Sequence, residues 1–369
     1  MDDSSTHISS APPDTTIYVL GGYRSNTALF EAALEFIRRD AADLTGHKIL
    51  VTLGDFTASD SIVFQREVER VRREYKEASY PPNFVNADPN PTADGNAKGM
   101  IDLLRDPHLP GFEFIHLRGQ AEALFLDFAL GNSDEERQGI GHSFQIIRNF
   151  ESAFIKEEVF RNLPAAERQH LLRAAIPPDY IEFMYNRPTS ANIGDYFFHA
   201  RLWVTDNVEM RQKLAAECER APDSIARRDD VMAYDVMSEK LRTMNTQARI
   251  ILGTQISHDP FSTPRYYGKD VAASNGPECI MLDSQNGGIG GLKLQGDRIK
   301  SFFIYDTDKD TQPYSEPLTR RQGRFGNIIR NEFYRATDGV VDRAVPIVTG
   351  NIRARVLRGD LTARPAATK

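Results

Sequence analysis

The amino-acid sequence predicts an α/β protein in which sheets are covered by helices. Three observations carry this. Two strand-turn-helix units follow one another near the start, Thr15–Leu20 with Asn26–Arg39 and Ile49–Leu53 with Ser61–Lys76, and such alternation argues for a helix-covered sheet. The second strand, Lys48-Ile-Leu-Val-Thr-Leu-Gly54-Asp55, is a short apolar run that stops at Gly-Asp, the pattern of a buried strand delivering a carboxylate to its C-terminal end. Open α/β sheets place their ligands there. Finally, later apolar runs at Phe112–Leu117, Asp195–Ala200 and Ala248–Leu252 each break at a polar or glycine-containing turn.

The elements follow in order. The stretch 1–14 is polar and is expected to be a disordered lead-in; it lacks the basic and apolar parts of a signal peptide. Helix 26–39 carries Leu29, Ala32, Ala33 and Phe36 on one face, a spacing of three and four residues. Ser79 to Pro91 is broken by prolines, which lack amide donors, so 81–110 reads as a loop excursion with a short helix over 97–105. Residues 131–190 read as a helical insertion without a sheet of their own. Helical sequence precedes the strand at 248–252, and 279–283, 290–294 and 302–305 read as closing antiparallel strands. The domain is drawn over 15–312. Beyond Pro313, Arg320, Arg321, Arg324, Arg330, Arg353, Arg355 and Arg358 make a basic C-terminal extension.

Composition narrows the function. The 369 residues carry a net charge of −7, which argues against a broad nucleic-acid or anionic-membrane surface. Two cysteines, Cys218 and Cys279, are too few for a disulfide framework or a thiolate metal site. A cytoplasmic location is expected. No apolar run approaches the roughly 20 residues a membrane helix needs.

Five strand ends, in order, carry a family resemblance: Val19-Leu-Gly-Gly-Tyr-Arg-Ser25, Leu53-Gly-Asp-Phe-Thr-Ala-Ser-Asp-Ser61, Leu117-Arg-Gly-Gln-Ala-Glu122, Gly194-Asp-Tyr-Phe-Phe-His-Ala200 and Ile251-Leu-Gly-Thr-Gln255. The chain resembles the calcineurin-like metallophosphoesterases, in the bacterial branch near diadenosine tetraphosphate hydrolases and serine/threonine phosphatases. The resemblance implies a four-layer αββα sandwich of two mixed sheets flanked by helices. It also implies a two-metal site, and here the chain departs from the pattern. Where the family places an Asp and a His on the first strand, this chain has Gly22 and Arg24; the bridging Asp is kept as Asp55. Ala58 and Ser59 stand for a second Asp and an Arg. Gln120 and Ala121 replace an Asn and a His, Glu122 is kept, a later His is kept as His199, and the last His is Thr254. Two remaining ligands, Asp55 and His199, cannot clamp two divalent ions, and the general-acid pair is alanine at both positions.

The resemblance therefore implies a metal-depleted pseudophosphatase with no cofactor and no phosphoesterase activity. It would bind a small anionic molecule or a protein segment in a cleft formed by Arg24, Asp55 and His199, with Gln120, Glu122, Thr254 and His258 around them. Arg24 places an organic cation where the inorganic ones would sit and is expected to pair with Asp55. Two alternatives stay open. One is a metal-independent enzyme using Arg24 with Asp55 and His199 for acid-base chemistry on a small anionic substrate. The other is a one-metal hydrolase built on Asp55, His199, Gln120 and His258. The residues also have plainer readings: Asp55 as a cap for the helix near Ser61, Glu122 as a first-turn helix carboxylate, His199 as a core histidine. Self-association through the C-terminal extension is left open.

Overall fold

The structure, a computed structural model, describes residues 5–8, 14–23, 25–58, 97–119, 121–122, 125–126, 129, 167, 170–171, 174–200, 249–253, 265–267, 279–282, 288–306, 345–348 and 353–360. Thirteen strands among them form two sheets. The first sheet contains β2 (Thr16–Gly21), β3 (Lys48–Thr52), β4 (Phe112–His116), β10 (Gly288–Gln295), β11 (Arg298–Asp306), β12 (Val345–Val348) and β13 (Arg353–Asp360), in the order β12-β13-β11-β10-β2-β3-β4. Strands β2, β3 and β4 run parallel, and β10 joins β2 antiparallel. The second sheet contains β1 (Ser5–Ile8), β5 (Ser190–Ile193), β6 (Tyr196–His199), β7 (Arg249–Gly253), β8 (Arg265–Tyr267) and β9 (Cys279–Leu282), in the order β1-β5-β6-β7-β9-β8.

Period-two alternation explains how the sheets stack. In β2, Ile17 and Val19 pack with Val51, Ile115, Phe198, Ile251, Ile280 and Leu292 in one cluster that draws on both sheets. Tyr18 and Leu20 point the other way, into a second cluster with helix α1 (Thr27–Asp40), helix α2 (Ala97–Arg105) and helix α3 (Pro178–Tyr185). Side chains that alternate along a strand thus supply a sheet-on-sheet core and a helix-on-sheet core at once. Burying each large side chain contributes about 1.5–3 kcal/mol.

Helix α1 forms where the apolar spacing demands it. Asn26 stands just before it, and its Oδ1 accepts the Leu29 amide at 3.1 Å, satisfying one of the first-turn donors left without a partner. The last turn carries Arg38 and Arg39, which suits the negative end of the helix dipole. Asp40 then takes a hydrogen bond from the Tyr18 hydroxyl and one from Lys293 Nζ, both at 2.7 Å, tying α1 to β2 and β10. Burial, then Asp40, holds the Tyr18 phenol well above its ordinary pKa. An Asn26→Ala variant should lose about 1 kcal/mol, read as a lower urea midpoint with an unchanged slope. A midpoint equal to wild type would show that the cap contributes nothing.

Several expectations change. Part of the stretch expected to be disordered, Ser5–Ile8, is an edge strand paired parallel to β5. The strand expected over 195–200 is the second arm of a hairpin: β5 and β6 pair antiparallel across Gly194, whose φ is 55°. The basic extension beyond 313 supplies β12 and β13 to the first sheet, β13 pairing with β11 from Lys300 to Asp306. The short helix expected over 97–105 is found at those bounds, as α2. The helix expected over 61–76 lies outside the described residues.

Candidate functional site

Four strand ends meet through glycine. A methyl group on Gly54, after β3, would lie 2.5 Å from the Gly119 amide nitrogen after β4 and 3.0 Å from Ala200 Cβ after β6. One on Gly253, ending β7, would lie 2.7 Å from the carbonyl oxygens of both Ala200 and Leu53. At the end of β2, one on Gly21 would lie 2.8 Å from Leu282 Cβ of β9. Backbones this close leave no room for side chains, which is the reason glycine is needed at these turns. The ends of β3 and β4 from one sheet and β6 and β7 from the other therefore form one cluster.

At its centre, two carboxylates brace two loops. Asp55 sits at φ 57° and follows Gly54 at φ 78°, so two successive residues take the left-handed conformation, which costs a residue with a side chain about 1 kcal/mol or more. Asp55 Oδ1 accepts the Ala121 amide at 2.8 Å. In return, Glu122 Oε2 accepts the amides of Asp55 at 2.9 Å and Gly119 at 2.7 Å. Glu122 Oε1 accepts the amide and the hydroxyl of Thr57, both at 2.8 Å. This is a capping box divided between two loops. Glu122 reaches back to the amide three residues before it, and Asp55 supplies from another loop the cap that Gly119, lacking a side chain, cannot.

Glu122 is fully buried. Burial first, and the Asp55 carboxylate second, push its pKa up to about 7, while the hydrogen bonds from Thr57 and Gly119 pull the other way. Behind the pair, the Tyr23 hydroxyl is buried close to Thr52, Gly54, Glu122 and Asp55, and burial holds its proton far more tightly than usual. Thr52 Oγ1 lies 2.9 Å from His116 Nδ1. His116 is buried, and burial, then the Arg187 charge, lowers its pKa to about 3, so this imidazole is neutral at ordinary pH. A polar column runs under the carboxylate pair, on the helix side of the first sheet.

Of the residues singled out from sequence, Asp55, Glu122 and His199 are described. Arg24, Gln120, Thr254 and His258 lie outside the described residues. His199 is buried at the end of β6, one residue before Ala200 and 5.9 Å from the Phe197 ring. Glu122 is the first-turn carboxylate its plainer reading describes, with both oxygens accepting from the chain. Asp55 caps the turn at Ala121, and the helix near Ser61 lies outside the described residues. Tyr23, Thr52, Thr57 and His116 escaped the sequence reading; Thr57, two residues after Asp55 in Gly-Asp-Phe-Thr, was the most accessible signal.

The donor set can be compared with the two-metal centre that the family resemblance implies. Glu122 spends both oxygens on amides and a hydroxyl, and Asp55 spends Oδ1 on Ala121. Among the described residues no three His, Cys, Asp or Glu side chains gather as a metal ion requires, and such a centre needs shared carboxylates and several further ligands. The described residues do not fit it. No helix among them is long and apolar enough to cross a membrane. Comparison with protein-family models, curated proteins and solved structures finds no match for this chain.

Proposed function

We propose that the chain is a phosphoesterase-like scaffold turned to binding: a four-layer αββα sandwich whose strand-end cleft takes a small anionic molecule or a partner's acidic segment, without phosphoesterase activity. The observation that carries this reading is the commitment of the surviving acidic residues. Asp55 and Glu122 hold the loops after β3 and β4 together by accepting backbone amides, so their hydrogen bonds hold the cleft's walls. Arg24, between the described residues Tyr23 and Ser25, is assigned the cation that receives the ligand, because a guanidinium offers a fixed fork to an oxyanion. His199 is assigned to the opposite wall.

A metal-independent enzyme is the second reading, and one observation favours it. A non-glycine residue held at φ 57° at a strand end is the kind of backbone strain that functional sites retain. Purified protein separates the readings. Under the binding reading, stoichiometric metal is absent on elemental analysis, phosphate esters are not turned over with or without added manganese, and an anionic metabolite that raises thermal stability is recovered unchanged. Arg24→Met should weaken that stabilisation at least tenfold in ligand concentration. Turnover of the metabolite in chelator would favour the enzyme, and an Arg24→Met variant with wild-type melting and binding would remove Arg24 from the site.

A further inference from the structure

A second cationic feature lies on the helix side of the first sheet and does not depend on the cleft reading. Helix α2 ends at Arg105, whose guanidinium carbon lies 4.3 Å from the Tyr180 ring centre and 5.5 Å from that of Phe183, both on α3. Arg105 also donates to the Asp179 carboxylate at 2.8 Å and to the Asp179 carbonyl. Just beyond α3, Arg187 lies over the same Phe183 ring at 4.3 Å, with its Nε donating to the Phe183 carbonyl at 3.0 Å. Lys98, over Tyr180, is paired with Asp102 at 2.8 Å.

Charge does not balance around these two rings. Lys98 and Arg105 have carboxylate partners; Arg187 has none among the described residues, and its two terminal nitrogens make no hydrogen bond within them. Arg187 is half-buried, and burial, then the neighbouring Arg105, lowers its pKa. Like charges held close in a partly desolvated setting are costly unless an anion joins them. Nearby His116 is neutral and does not add to the charge. The ring contact and the Nε bond hold the guanidinium in place, leaving its two terminal nitrogens as a fork, the geometry that matches two oxygens of a phosphate.

We infer that Arg187, with Arg105 beside it on the Phe183 ring, forms a binding site for the phosphate group of a small molecule. Two guanidinium groups against one surface carboxylate, Asp179, leave one positive charge for an incoming oxyanion, and the acetate arm of the test separates phosphate from carboxylate.

The test uses the full chain and inorganic phosphate. Thermal unfolding is followed against phosphate concentration, with sodium chloride at matched ionic strength and sodium acetate as the carboxylate arm. The expected result is a saturable rise in melting temperature with phosphate, at least tenfold weaker in midpoint in Arg187→Gln and partly retained in Arg187→Lys. Arg38→Gln, which removes the same charge from an exposed position on α1, should respond as wild type. Because Arg187→Gln could also loosen the α2–α3 packing, direct phosphate titration by phosphorus NMR at a temperature where every variant is folded supplies the second readout. Equal responses to phosphate, chloride and acetate would overturn the site. So would a phosphate response that survives Arg187→Gln, which would put the anion in the strand-end cleft or on the surface at large.

Discussion

Glu122→Ala is expected to lose about 3–5 kcal/mol of stability at pH 5, because it leaves three backbone amides and a hydroxyl without their acceptor. Asp55, Gly119 and Thr57 all aim amides at this carboxylate, and each buried donor left unsatisfied costs about 1–3 kcal/mol, offset in part by water entering the hole. The vacated position remains an oxyanion-shaped nest, so formate at a few hundred millimolar should restore part of the lost melting temperature where chloride does not. The cost should also depend on pH. Glu122 titrates near its ordinary value of 4.5 in the unfolded chain and near 7 in the folded one. The folded state therefore holds more protons through that window, and the residue's contribution is complete below about pH 4.5 and is lost as pH rises through 7. Denaturant unfolding of both proteins at pH 5 and pH 8 checks this: the gap should be wider at pH 5. A gap that is the same at both values, or that widens at pH 8, would refute the assignment.

Gly119→Ala is the second large effect, about 2–4 kcal/mol. The added methyl would sit 2.3 Å from the Asp55 amide nitrogen and 2.5 Å from Asp55 Oδ1, and backbone cannot move aside as a flexible side chain can. The loop after β4 must shift, and the Asp55 cap on Ala121 shifts with it. Gly111→Ala supplies the contrast. Gly111 has a φ of 76° but nothing within 4 Å of the added carbon, so only the backbone preference is lost, about 1 kcal/mol. Urea midpoints at constant slope compare the two. If both variants lose the same amount, close approach at Gly119 is not what fixes that residue, and the picture of strand ends in contact fails.

How far the sequence led depended on how much of each segment's pattern was local. Buried strands with near-continuous apolar runs, β2 and β3, were legible within a residue or two, as was β4, and α1 was legible from its spacing and its cap. The misses have physical causes. Between β5 and β6 the residues Gly194-Asp195 are a two-residue hairpin turn, a strong local signal that the strand-end reading of the same residues obscures. In β13, Arg353-Ala-Arg-Val alternates with period two, yet in the sequence its arginines read as charge and not as a strand pattern. β1 and β8 have four and three residues, too few to carry a period. At the site, the nearness of Asp55 and Glu122 was implicit in the order of strand ends, but their reciprocal capping was not. That arrangement needs the loops after β3 and β4 brought within hydrogen-bond reach, 66 and 67 residues apart in sequence, and no local spacing encodes it.

The pairing of β13 with β11 also bears on self-association. β11 is nine residues long and carries Phe302, Phe303, Ile304 and Tyr305 in succession; at the rim of a sheet, such a strand would invite other chains to stack on it. Instead it is enclosed by β10 and β13, and the rim is given to β12, a four-residue strand with Pro346 within it. Proline cannot donate to a ladder, so the outermost of the described strands on that flank is a poor template for fibre growth, and the aromatic stretch of β11 is kept away from the rim.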